Sequence, residues 1–280
     1  MNAQAKPLVI MVAPNGARRT KADHPALPTT AAELAETAAA CLDAGAAAIH
    51  LHVRDAQARH VLDAELYREA IAAVRARTGA AMAVQITTES MGRYSPTEQM
   101  DLVRKLRPAA VSMALRELLT GGEAGPSAFY AWASDNRIAV QHILYDHADL
   151  DRFAELRRRG LRPESRPQLL FVLGRYALNQ ESRPQDLDAF LEGLDHHGLR
   201  NEAVWSVCAF GRGETAALAA AIEGGGHVRV GFENSLWNAD GSVARDNAER
   251  VAAIAALARR IGRPVASGPE AREILGITAA

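Results

Sequence analysis

Short apolar runs alternate with longer amphipathic stretches along the whole chain. Runs at 8–13, 47–53, 81–87 and 109–113 are rich in Val, Ile, Ala and Met, and runs at 138–144, 168–173, 203–208 and 228–231 continue the series. They read as continuous apolar segments rather than strict alternation, which is the pattern of parallel strands covered by helices. The stretches between them, at 30–44, 64–77, 96–106, 127–136, 148–159, 184–196, 214–223 and 244–261, are helix-like. Several carry their own start and stop signals. Thr30 precedes Glu33 at capping-box spacing and Gly45 closes the same stretch, while Ser95-Pro96 followed by Glu98 supplies an N-cap and a proline at the first helical position.

Eight strand–helix pairs in 280 residues, roughly 35 residues each, predict a (β/α)8 barrel, an α/β TIM barrel. A doubly wound open sheet is the alternative, but no GxGxxG opens a first helix. No Pro/Gly/Ser-rich linker divides the sequence, so one barrel domain over residues 1–280 is expected.

Composition narrows the function. Hydrophobic residues make up 48% of the chain and aromatics only 5%, an alanine-rich composition that excludes disorder and allows a sizeable core. Lys+Arg 32 against Asp+Glu 33, scattered along the chain, excludes the basic face of a nucleic-acid binder. No apolar run approaches the roughly 18–20 residues of a membrane span, and the first residues lack a signal-peptide pattern. Cys41 and Cys208 form no disulfide framework. A cytoplasmic enzyme acting on small molecules is expected.

In such a barrel, chemistry gathers at the C-terminal ends of the strands. The second run ends in His50-Leu51-His52-Val53-Arg54-Asp55, and strand residues two apart share a face, so two imidazoles stand side by side. That is the spacing of two ligands of one first-row metal, with a carboxylate as the usual third. The eighth run, Val228-Arg229-Val230-Gly231-Phe232-Glu233-Asn234, closes the barrel two strands away, and Glu233 is the expected third ligand. Alternation along this run puts Arg229 on the face of Glu233, deeper in the barrel, where its planar fork can hold a carboxylate or an enolate oxygen. The loops after the first, third and seventh runs add Asn15, Gly16, Arg18 and Arg19, then Thr87, Thr88 and Glu89, then Gly211-Arg212-Gly213. An anionic substrate or cofactor suits that mouth, with the glycine turn as a phosphate site. Cys208 ends the seventh run with no obvious base beside it.

These motifs, taken in order, resemble the β-keto acid cleavage enzymes, the family of 3-keto-5-aminohexanoate cleavage enzyme. The resemblance runs through Ala13-Pro14-Asn15-Gly16-Ala17, Leu27-Pro28-Thr29-Thr30, His50-Leu51-His52-Val53-Arg54-Asp55 and Thr87-Thr88. It continues through Trp205-Ser206-Val207, Gly211-Arg212, Arg229-Val230-Gly231-Phe232-Glu233-Asn234 and Pro269-Glu270-Ala271-Arg272-Glu273-Ile274-Leu275. It implies a zinc-dependent, usually tetrameric (β/α)8 barrel that converts a β-keto acid and acetyl-CoA into acetoacetate and a new acyl-CoA. His50, His52 and Glu233 would hold the zinc, Arg229 would act in acyl transfer, and Thr87 would touch substrate. Gly211 and Arg212 would meet CoA, with Thr88 and Asn15 beside the substrate.

Two positions depart from the family pattern. Members commonly carry aspartate, the proposed general base, directly after the metal-binding glutamate; here Asn234 stands there, and an amide accepts no proton at neutral pH. Glu117, just past the fourth run, is a candidate replacement. The acid that reads the amino group of the founding substrate falls at Arg18, a charge reversal that favours an acidic or neutral tail. Two competing functions stay open: a metal-dependent aldolase or lyase without CoA, and a metabolite-binding barrel that has lost catalysis.

Overall fold

The computed structural model describes residues 6–161 and 165–278. Eight parallel strands close into a barrel in chain order: β1 (Ile10–Val12), β2 (Ala48–Leu51), β3 (Ala83–Thr87), β4 (Ala110–Ala114), β5 (Ala139–Leu144), β6 (Gln168–Leu173), β7 (Val204–Ala209) and β8 (His227–Val230). The seam between β8 and β1 is in register at Ile10↔Val228, Met11↔Arg229 and Val12↔Val230. Around the barrel run α1 (Ala31–Ala44), α2 (Ala64–Thr78), α3 (Pro96–Leu106), α4 (Leu115–Leu118) and α5 (Ala124–Asp135). They are followed by α6 (His147–Arg158), α7 (Asp188–His196), α8 (Glu214–Glu223), α9 (Asn247–Ile261) and α10 (Gly268–Ile274).

Every strand except β5 is buried along its whole length, as expected of strands enclosed on both faces. The outward-facing side chains, such as Ile10, Ile49, Val111, Phe171 and Val207, join the inner faces of the helices in one large apolar cluster. The caps fall where the chemistry places them. Thr30 and Ser95 both form full capping boxes, with Glu33 and Glu98.

Differences from the sequence pattern sit at element ends. The stretch 184–196 divides into a 3₁₀ turn at Pro184–Leu187 and the helix α7. The last long helix starts at Asn247, because Asp246 caps it by accepting from the Glu249 N–H. The eighth strand ends at Val230, since Gly231 adopts φ +141 and turns the chain. Two helices, α4 and α10, are too short to show a helical period in the sequence. No described helix is long and apolar enough to cross a membrane.

Candidate active site

The C-terminal ends of the strands open into a cavity lined by residues of all eight strands or their following loops. At its floor stands His50, and His52 is buried beside it; both are at most 1% exposed, with their Nε2 atoms 3.1 Å apart. The His50 tautomer follows from its neighbours. Gln85 Nε2 donates to Gln141, so Gln85 Oε1 faces His50 Nδ1 at 2.8 Å and accepts its proton, leaving a lone pair on His50 Nε2.

Glu233 completes the group, though not by strand alternation as its spacing suggests. β8 has already ended, and the carboxylate arrives on the turn 231–234, in which Asn234 N–H donates to the Gly231 carbonyl at 2.9 Å. Its Oε1 lies 3.4 Å from His52 Nε2 and its Oε2 lies 3.8 Å from His50 Nε2. Asn247 holds the turn from behind, accepting from Phe232 N–H at 2.9 Å.

The three residues offer ligand atoms that all lie within 4.8 Å of one another. Donors about 2.0–2.1 Å from a tetrahedral ion are separated by roughly 3.3 Å, and the observed contacts cluster around that edge length. A His2Glu donor set suits a borderline first-row metal. Electrostatics agree. Burial, then the Arg229 charge, keep the His50 imidazole neutral, well below its ordinary range. Burial alone would raise the Glu233 carboxyl, but Arg229 and His52 hold it well below the usual carboxylate range. A neutral His50 imidazole and an ionised Glu233 carboxylate are protonation states that suit metal binding.

Arg229 approaches Glu233 Oε1 at 3.6 Å and donates from Nη2 to Cys208 Sγ at 3.5 Å, while its Nε and Nη1 find no hydrogen-bond partner among the described residues. A buried guanidinium with unsatisfied donors beside the candidate metal group is a ready receptor for an oxyanion. The Cys208 thiol, pushed up to about 11 by burial against the opposing pull of Arg229, stays neutral and serves Arg229 as a weak acceptor.

The first loop is organised by Arg54, whose guanidinium donates to the carbonyls of Gly16, Ala17 and Arg19. That anchorage presents Asn15, Arg18 and Arg19 to the cavity. Asn15 ties Pro28 and His52 through its Nδ2 at 3.0 Å to each carbonyl, and Arg19 Nη1 donates to Phe232 O at 2.5 Å, bracing the turn that carries Glu233. Arg18 is exposed at the rim and makes no ion pair among the described residues. Thr87 lines the cavity, with its hydroxyl accepting from Glu89 N–H.

Other expected residues lie outside the lining. Thr88 is buried behind it, bonded to Gln99 and the Ser112 carbonyl. Glu117 accepts from Ser90 N–H at 3.1 Å, and burial raises its carboxyl. Asn234 is fully buried, with neither side-chain polar atom hydrogen-bonded. Gly211 is wedged against the loop after β6, and Arg212 lies exposed with its guanidinium 3.6 Å over the Trp237 ring. Sequence reasoning missed Arg175 and Tyr145, both in the lining, because nothing local distinguishes them from surface residues of the β6 and β5 loops.

Residues 7–277 match the sequence profile described as beta-keto acid cleavage enzyme. The chain belongs to that family. A 3-keto-5-aminohexanoate cleavage enzyme of Acetoanaerobium sticklandii is 30% identical over 97% of this chain and 98% of its own length. The 3-oxoadipate:acetyl-CoA acetyltransferase of Cupriavidus necator is 27% identical over 97% of this chain and 95% of its own. Among solved structures, apo ObcA superposes with a TM-score of 0.70 at 17% identity, covering 91% of this chain and 66% of ObcA. That likeness concerns the barrel alone. Membership of the β-keto acid cleavage family agrees with the ordered motifs of the sequence.

Proposed function

We propose that the protein is a zinc-dependent β-keto acid cleavage enzyme that converts a β-keto acid and acetyl-CoA into acetoacetate and a new acyl-CoA. One observation carries the reading: three ligand atoms of His50, His52 and Glu233 gathered at the floor of the cavity, with the unsatisfied Arg229 fork beside them. A divalent zinc held by those three residues would supply Lewis acidity toward the keto oxygen of the substrate.

The rest of the work falls to the chain. C2 of the β-keto acid, between ketone and carboxylate, is the acidic carbon, and the acetyl thioester carbon is the electrophile. Loss of the C2 proton, attack on acetyl-CoA and transfer of the thiolate to the original ketone set up a retro-Claisen cleavage. That cleavage releases acetoacetate and the acyl-CoA, and the proton returns to C2. Arg229 steadies the oxyanion that develops at each addition, and Thr87 and Asn15 orient the substrate. Gly211 and Arg212, on the loop after β7, meet the anionic part of CoA at the rim.

Arg18, Arg19 and Arg175 face the tail of the substrate, so an acidic or neutral tail is preferred over an amine. 3-Oxoadipate, the substrate named for the Cupriavidus necator relative, has such an acidic tail. The protein acts in the cytoplasm as a tetramer, which light scattering would report as about 120 kDa from four 30.0 kDa copies.

The deciding experiment incubates zinc-loaded protein with acetyl-CoA and a panel of β-keto acids carrying acidic, neutral and amino tails, followed by mass spectrometry of CoA esters. Acetoacetate together with a new acyl-CoA, lost on chelation, supports the reading. Cleavage that proceeds without CoA would favour the metal-dependent lyase.

A further inference from the structure

The proposed reaction needs a base for the C2 proton, and Asn234 supplies none: it is an amide, fully buried and outside the cavity lining. The carboxylates in the lining are Glu233 and Glu89. Glu233 belongs to the metal group. Glu117 turns away toward the Ser90 backbone. Tyr145 also lines the cavity, but burial, then the charges of Glu89 and Glu117, raise its phenol well above the ordinary value and keep it protonated. We infer that Glu89, on the turn after β3, is the general base that removes the C2 proton of the β-keto acid. This inference rests on the function proposed above.

The placement of Glu89 is built rather than incidental. Its backbone is fixed from both sides: its N–H donates to Thr87 Oγ1 at 3.0 Å, and its carbonyl lies 3.0 Å from His60 Nε2. Its side chain spans the mouth of the barrel. Arg175, 86 positions on, donates from Nη2 to Oε1 at 3.2 Å, and the same guanidinium lies over the Phe210 ring at 5.2 Å. The other oxygen, Oε2, stands 3.9 Å from His52 Nδ1, which puts the carboxylate within one imidazole of the metal ligands. At that distance it makes no hydrogen bond, and it is the carboxylate oxygen that Arg175 leaves unengaged.

The step balances on the chain's own groups. The C2–H bond breaks, its electron pair passes into the enolate, and the proton moves to Glu89. After C–C cleavage the acetoacetate carbanion takes the proton back from Glu89, which leaves it ionised for the next turnover.

Acetoacetate is a product whatever the tail of the physiological substrate, so it serves as the probe. Solvent deuterium exchange at its C2, followed by proton NMR above the buffer background, reports proton abstraction without acetyl-CoA. The expected result is rapid exchange by the wild type and a loss of 100-fold or more in Glu89→Gln. Metal content and acetoacetate affinity by calorimetry should stay unchanged, and added formate should partly rescue exchange in Glu89→Ala. Wild-type exchange rates in Glu89→Gln would overturn the assignment. So would loss of metal from that variant, which would make Glu89 a support for His52, or absence of exchange in a wild type that binds acetoacetate. The proposed function fails separately: a wild type that exchanges deuterium through Glu89 yet forms no acyl-CoA from any β-keto acid retains the base and loses the acyl transfer.

Discussion

Gly16 shows how tightly the site is packed at the scale of single residues. It sits at φ +61, and a Cβ placed there would lie 2.5 Å from Glu233 Cγ, so any side chain must push the carboxylate away from the two imidazoles. Gly16→Ala should therefore weaken metal binding by about 10- to 100-fold, the range typical of a disturbed support around a metal site. Competition against a chelator measures it, and an unchanged affinity would mean that the loop absorbs the methyl group. His50→Ala and Glu233→Ala remove a ligand outright. Both should abolish tight metal binding and turnover, with circular dichroism unchanged, because neither side chain belongs to the apolar core. Full activity in a metal-free His50→Ala protein would dismiss the metal group as the reacting centre.

Elements show which parts of the molecule a sequence discloses. All eight strands and the eight long helices are visible as periodic runs, because burial on a closed barrel imposes the same pattern on every unit. The His50 and His52 pair is equally visible, since strand period alone aligns two residues. The sequence places Glu233 beside the two histidines but not its route there: Gly231 leaves the strand conformation, and a Cβ on it would meet the Ala13 carbonyl at 2.5 Å. The Arg175–Glu89 pair was hidden for a different reason. It joins two loops far apart in the chain, and no local period encodes a contact between loops. Caps are local, and their contribution can be tested alone. Thr30→Ala removes the acceptor for Glu33 N–H at 3.2 Å and should cost about 1 kcal/mol in urea unfolding, with activity intact. A neutral effect would show that Glu33, held by Thr29 and Lys21, secures the start of α1 without the cap.

For the whole molecule, closure of the barrel carries a pH dependence. At the β1–β8 seam, His227 Nδ1 accepts from Val9 N–H at 3.0 Å, which requires an unprotonated nitrogen. Burial, then the charges of Arg263, Arg166 and Lys6, lower the imidazole to about 3. An unfolded histidine titrates near 6.5, so between about pH 6.5 and 3 the unfolded chain binds a proton that the folded barrel refuses. The seam's contribution is complete above 6.5 and declines as the pH falls through that window, by about 2 kcal/mol at pH 5 from this one residue. Other buried histidines add to the slope; His60, lowered to about 3 chiefly by burial, is one. The comparison must therefore be made between variants. His227→Gln keeps an acceptor near Val9 but cannot titrate, so its urea stability should fall less than that of the wild type between pH 7 and 5. Equal slopes for the two proteins would show that the seam opens to admit the proton without unfolding, and that the acid sensitivity of the barrel lies in its remaining histidines.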